Sequence, residues 1–173
     1  SSVTADTISV ATAKTVIDDL IDNSTNLADL NGTNGFRLDG EVRGDRTGIS
    51  VGSAGDINGD GFDDLIIGSP LKYSTGNSYV VFGKASGFNA VLPLSSLDGT
   101  NGFRINGVAL GDMAGQSVGS AGDINGDGID DLIVGAPEAS TLDGAYSSGN
   151  AYVVFGKTSG FDANLDLSDL DGN

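Results

Sequence analysis

Apolar positions along this chain recur with the period of strands. Ile49, Val51 and Ser53 alternate with smaller residues, and Asp64-Leu65-Ile66-Ile67 is a short apolar run closed by Gly68-Ser69-Pro70. Ser78-Tyr79-Val80-Val81-Phe82 is β-branched and aromatic and stops at Gly83, while Phe103-Arg104-Ile105 alternates up to Asn106-Gly107. Such runs, bounded by Gly-rich turns and lacking a helical period between them, predict four short strands, at roughly 49–54, 64–68, 77–82 and 102–106. A helical spacing occurs only earlier, at Ala13, Val16, Ile17, Leu20 and Ile21, where a short amphipathic helix is expected. Its Asp18, Asp19 and Asp22 lie towards the end where the helix dipole disfavours them.

The strand pattern occurs twice. SVGSAGDINGDGFDDLIIGSP begins at Ser50 and SVGSAGDINGDGIDDLIVGAP at Ser117, an offset of 67 residues. GNSYVVFGKASGF from Gly76 returns as GNAYVVFGKTSGF from Gly149, six residues later than that offset, and the extra residues mark a surface loop over 138–148. A repeated four-stranded antiparallel unit reads as a blade of an all-β propeller. The organisation expected is a cap or linker over 1–26 that carries the short helix, a first repeat over 27–93, a second over 94–166, and the truncated start of a third over 167–173. One blade is complete (48–107); the second has strands near 116–121, 131–135 and 150–155 without a fourth. Gly35-Phe36-Arg37-Leu38 looks like a spare fourth strand ahead of the first blade. Open sheet edges invite pairing, so that strand is expected to complete the second blade of a neighbouring repeat or copy, giving a closed propeller or a fibre.

Composition narrows the chemistry. Without Cys or His there is no disulfide, thiol nucleophile or imidazole base, and most zinc and copper sites are excluded. The net charge of −16 (8 basic against 24 acidic residues) argues against nucleic acid and anionic membranes and favours cations. No stretch approaches a membrane span, and the first residues have neither the basic start nor the apolar core of a secretion signal.

The strongest chemical motif is D-x-N-x-D-G-x-x-D, present as Asp56, Asn58, Asp60, Gly61, Asp64 and again as Asp123, Asn125, Asp127, Gly128, Asp131. Side-chain oxygens at its first, third, fifth and ninth positions converge if the chain curls, and the seventh residue, Phe62 or Ile129, can add its carbonyl. Hard oxygen donors in that number suit Ca²⁺ better than Mg²⁺, so two calcium sites are expected. Two carboxylates ~4 Å apart repel by roughly 1 kcal/mol in water and ~4 kcal/mol at an effective dielectric of 20, a sign that a dication reverses. An EF-hand would need a Glu at the twelfth position, where Ile67 and Val134 stand, and a flanking helix.

These residues resemble the FG-GAP repeat of the integrin α-subunit head and its bacterial relatives. Gly135-Ala136-Pro137 matches the Gly-Ala-Pro motif and Gly68-Ser69-Pro70 nearly so. Phe82-Gly83 and Phe155-Gly156 supply Phe-Gly pairs, but the family's own pair usually precedes the strand before the loop, where Thr47-Gly48 and Ala114-Gly115 stand here. The resemblance implies a β-propeller, typically of about seven blades, with Ca²⁺ in the loops between first and second strands and an extracellular or cell-surface setting.

A non-catalytic calcium-binding unit of an extracellular structural or adhesion protein is the function expected, with an integrin-like propeller recognising a protein or glycan as the alternative. No enzyme is expected, since the paired acids are taken by the loops and no nucleophile–base set exists. Arg43-Gly44-Asp45 spells a cell-adhesive tripeptide, but Leu110-Gly111-Asp112 at the same place in the next repeat makes Gly-Asp a repeat feature, so chance is the better reading. Tyr79, Phe82, Tyr152 and Phe155 are expected in the core, Lys84 and Lys157 in solvent, and the 138–148 insertion is a candidate partner loop.

Overall fold

A computed structural model describes residues 26–70, 75–140 and 148–170. The expected N-terminal helix and most of the 138–148 insertion lie outside those residues. Ten strands follow in order: β1 (Arg37–Asp39), β2 (Ser50–Gly55), β3 (Asp64–Ser69), β4 (Asn77–Val81), β5 (Val91–Pro93), β6 (Gly102–Asn106), β7 (Ser117–Gly122), β8 (Asp131–Ala136), β9 (Asn150–Val154) and β10 (Asn164–Asp166). Single 3-10 turns occupy Leu27–Asp29, Leu94–Ser96 and Leu167–Asp169.

The first blade is the sheet β2–β3–β4–β6, antiparallel throughout, and the second is β7–β8–β9. The expected four-strand unit is therefore present, with one addition. β10 runs parallel to β6 on its outer side, Asn164 opposite Arg104, so the second repeat reaches back to widen the first blade to five strands. β5 treats β1 identically, Arg37 opposite Val91. The Phe36 strand is thus not spare within its chain: one edge is paired with β5. Its counterpart β6 is paired on both edges, with β4 and with β10.

Alternation decides what each strand face buries. In β3 and β4, Ile66 and Val80 point to one side, where they meet Leu132, Val134 and Val154 of the second blade. Ile67, Tyr79 and Val81 point to the other side, where Leu38 and Leu92 of the β1–β5 ribbon and Phe88 from the loop before β5 cover them. The centre of the first blade is therefore covered on both faces, while Val51 and Leu65 on the ribbon side stay exposed. Phe36 stacks on Phe88 with centroids 4.1 Å apart, and Phe103 stacks on Phe161 at 4.3 Å. Lys84 and Lys157 are exposed, as expected, and each places its ammonium 4.9 Å from the centroid of a Phe ring, Phe88 and Phe161 respectively. The ring face attracts the cation, and a four-residue reach across the turn puts it there.

The seam between the blades also carries polar bonds. Val118 N–H donates to Ser50 Oγ (3.1 Å), Lys157 N–H to the Ile57 carbonyl (3.0 Å), and Asp56 N–H to Asp130 Oδ2 (3.0 Å). Gly68 sits where a Cβ would lie 2.0 Å from the Gly115 carbonyl oxygen, so only glycine admits this approach.

Candidate metal centre

A β-bulge opens each acidic loop. The β2–β3 register shifts between Ser53 and Gly55, and the β7–β8 register between Ser120 and Gly122. The glycines there adopt φ of +67° and +66°, and the serine hydroxyls hold their N–H groups at 3.1 and 3.0 Å. The bulge turns the chain out of the sheet and into the loop.

The two loops then fold alike. In the first, the Asp56 carboxylate accepts from Asp60 N–H (2.9 Å) and Gly61 N–H (2.8 Å). Asn58 Oδ1 accepts from Asp60 N–H (2.8 Å), Asn58 Nδ2 donates to Asp60 Oδ2 (3.1 Å), and Asp60 Oδ1 accepts from Phe62 N–H (2.9 Å). Asp64 is buried and accepts from Ile57 N–H (3.2 Å) and Gly83 N–H (2.8 Å). In the second loop Asp123 accepts from Gly126, Asp127 and Gly128, Asn125 from Asp127, Asp127 from Ile129, and Asp131 from Ile124 and Gly156. All eight expected side chains thus turn onto two short arcs of backbone. Phe62 is exposed at the rim of its arc, and Ile129 is half-buried beside the first blade.

Among the described residues no three acidic side chains converge as a ready-made cluster. The reason is visible in the bonds: the carboxylates are drawn onto loop N–H groups. The donor set nevertheless fits a hard cation in kind. Each loop offers three carboxylates and an amide oxygen, with no nitrogen or sulfur ligand. A carboxylate oxygen has two lone pairs, and most of those here give only one to an N–H. Electrostatics agree for Asp64, whose carboxyl is pushed up to about 6, chiefly by burial; the charges of Asp60 and Asp56 add to this, and the N–H groups of Gly83 and Ile57 oppose it. A dication beside it would favour the charged form.

The sequence motif did not reveal the partners of the ninth position. Gly83 and Gly156, from the Phe-Gly pairs, each cap it through their N–H. A Cβ at Gly83 would lie 2.4 Å from the Asp63 carbonyl oxygen, and one at Gly156 would lie 2.3 Å from that of Asp130. The glycine of that pair is therefore part of the loop's support.

The Arg43-Gly44-Asp45 tripeptide has a structural explanation. Asp45 is buried, its carboxylate accepts from Val42 N–H (3.0 Å), and Asp112 does the same for Ala109 N–H (3.0 Å). Its acid is turned inward in both repeats.

Comparison with known proteins agrees with this architecture. The FG-GAP repeat family model matches residues 47–81 and 114–154, each spanning an acidic loop and the strands around it. Integrin alpha-PS5 of Drosophila melanogaster is 35% identical over 99 residues, 57% of this chain and 10% of its own. Integrin alpha-PS2 of the same organism is 29% identical over 150 residues, 82% of this chain and 10% of its own. A phosphatidylinositol-glycan-specific phospholipase D of Dictyostelium discoideum is 35% identical over 118 residues, 59% of this chain and 12% of its own. The chain spans about a tenth of the length of these relatives. One relative has the name of an enzyme, so the repeat occurs in proteins of different activity. Motif, blade topology and matches together identify the chain as one that carries FG-GAP repeats of the integrin α-subunit type.

Proposed function

We propose that this chain is a non-catalytic, calcium-stabilised blade unit of an extracellular adhesion or structural protein. Its blades join side by side and through strand edges to neighbouring repeats or to other copies. Asp56, Asn58, Asp60 and Asp64 would hold one Ca²⁺ with the Phe62 carbonyl. Asp123, Asn125, Asp127 and Asp131 would hold the second with that of Ile129. Calcium there would neutralise carboxylates crowded on a chain of net charge −16. Millimolar extracellular calcium suits loops of this kind.

One observation carries the assembly reading. Ile57, Ile66, Val80 and Phe82 are buried in the seam after the first blade. Their counterparts Ile124, Ile133, Val153 and Phe155 keep the same chemistry on the open side of the second blade, with Ile124 56% and Phe155 40% exposed. That face fits a further blade of the same kind. A groove of about 630 Å³ beside β9, lined by Val153, Phe155, Phe161 and Leu170, runs along the edge where β6 lies in the first blade. A second reading, recognition of a protein or glycan by a closed propeller, follows from the integrin relatives alone.

The test uses two measurements. Calorimetry of the chain with CaCl₂ should give two calcium ions per chain, and Asp60→Ala or Asp127→Ala should remove one each. Repeat equivalence sets the strand register, because Ser78 faces Ile105 in the first blade. Ala151 of one copy should then face Leu38 of the next. The chain has no native Cys, so mixed Ala151→Cys and Leu38→Cys variants should form disulfide-linked pairs under mild oxidation. No calcium uptake would end the metal reading, and no crosslink the strand-edge reading.

A further inference from the structure

The two acidic loops share their sequence but not their surroundings. The first is gripped by the following repeat at its first two residues. Asp130, the eighth residue of the second loop, places Oδ2 3.0 Å from Asp56 N–H. Lys157 N–H holds the Ile57 carbonyl at 3.0 Å, and the Ile57 side chain is wholly buried. Gly55 forms the cradle for this carboxylate, since a Cβ there would lie 2.2 Å from Asp130 Oδ2. The second loop has none of this among the described residues: no atom lies within 4 Å of a Cβ built at Gly122, and Ile124 is exposed. Asp63, the counterpart of Asp130, is exposed on the leading side of the first blade.

We propose that Asp130 is a positioning residue for the preceding calcium loop, so that each repeat completes the metal site of the one before it. The inference rests on the calcium reading above. Asp56 is the first ligand of its loop, and its carboxylate ties the turn through Asp60 and Gly61. Fixing its backbone from outside fixes where that carboxylate stands before the ion arrives, and a site ordered in advance gives up less freedom on binding. Lys157 and Ile57 hold the next residue in place, so the turn has little room to open. Loop 56–64 therefore binds calcium more tightly than loop 123–131, although their ligand types are identical. Binding at the first loop in turn tightens the seam between the blades, by reciprocity.

The test compares single-site chains. Asp127→Ala leaves the first loop, and Asp60→Ala leaves the second. Calorimetry at a concentration where the chain is monomeric should show the first loop about tenfold tighter, the equivalent of one hydrogen bond to a charged acceptor. In the Asp127→Ala background, Asp130→Ala should erase that gap. Asp130→Asn, which keeps an acceptor for Asp56 N–H, should retain most of it. Amide exchange in chelator should show Asp56 N–H better protected than Asp123 N–H. Equal affinities in the two single-site chains overturn the coupling while leaving calcium binding intact, and so does a gap that survives Asp130→Ala. Two silent loops overturn the calcium reading itself. If Asp130→Ala does not fold, the comparison of the two single-site chains and the amide protection still decide.

Discussion

Ile57 and Ile124 are the same residue at the same place in two loops, one wholly buried in the seam and the other 56% exposed. Truncating each to Ala therefore measures the seam alone. Ile57→Ala removes three buried carbons at about 0.8 kcal/mol each and leaves a cavity between two blades that are both anchored elsewhere, so the cost should be about 3–4 kcal/mol. In the monomeric chain Ile124→Ala removes atoms that are largely in water, and solvent fills the space, so its cost should stay below about 1 kcal/mol. For a chain of this size each kcal/mol moves the midpoint by about 2–4 °C, giving a fall of about 10 °C against about 2 °C. The assay is thermal unfolding followed by circular dichroism at one fixed calcium concentration, because a ligand of the native state shifts Tm by itself. Equal losses would refute the reasoning, since they would mean that the second blade gives Ile57 no cover that Ile124 lacks.

Other positions test the same seam and its neighbours. Gly68→Ala should lower the urea midpoint by the equivalent of about 2 kcal/mol or more, because the new Cβ would meet the Gly115 carbonyl at 2.0 Å; Gly52→Ala, whose nearest neighbour would be 3.7 Å away, should be tolerated. Asp45→Ala should cost about 1–3 kcal/mol by stripping the acceptor from Val42 N–H, whereas Arg43→Ala should change neither stability nor cell attachment; attachment lost with folding intact would reinstate the tripeptide as a ligand. Burial pushes the Tyr79 hydroxyl up to about 12. Its unfolded pKa is about 10, so its contribution to stability is complete below pH 10 and lost as the pH rises towards 12. Tyr79→Phe should flatten the alkaline decline in urea midpoint, and an unchanged slope would contradict the burial of that hydroxyl.

Local pattern made the strands of both blades readable, because Leu65-Ile66-Ile67 or Tyr79-Val80-Val81 carries its own period and its own Gly stops. The acidic loops were readable for the same reason: the spacing of their oxygen-bearing side chains lies within nine residues. What could not be read depends on distant partners. β5 and β10 are three residues long, one contains Pro93, and neither has a period; they exist because an outer edge of β1 or β6 accepts them in parallel. Phe155 was expected in the core beside Phe82, yet it is 40% exposed, since burial at that position comes from the next blade and not from its own repeat. Asp130 belongs to the same class. The Asp-Asp pairs at 63–64 and 130–131 were in plain view, but only the seam shows that Asp130 accepts from the backbone of the neighbouring loop.

That division between local and borrowed stability has a direction. In a repeat array, stability is a sum of each unit's own terms and of the interfaces it shares. The first blade has ribbon β1–β5 on one face, the second blade on the other, and β10 along its edge. The second blade has one covered face and three strands. Among the described residues its loop also lacks the grip that Asp130 and Lys157 give the first. If both loops hold calcium as proposed, its removal would take a cross-link from each, but only the second would then depend on its own turns to hold Asp123 and Asp127 together against their mutual repulsion. Amide exchange after chelation should therefore lose protection first in β7–β9 and later in β2–β4, with opening free energies that differ between blades. Loss in both blades at once would mean that the seam transmits the whole of the loop's contribution. Loss in the first blade first would mean that the following repeat does not support the loop before it, and the order of dependence argued from Ile57 and Asp56 would be reversed.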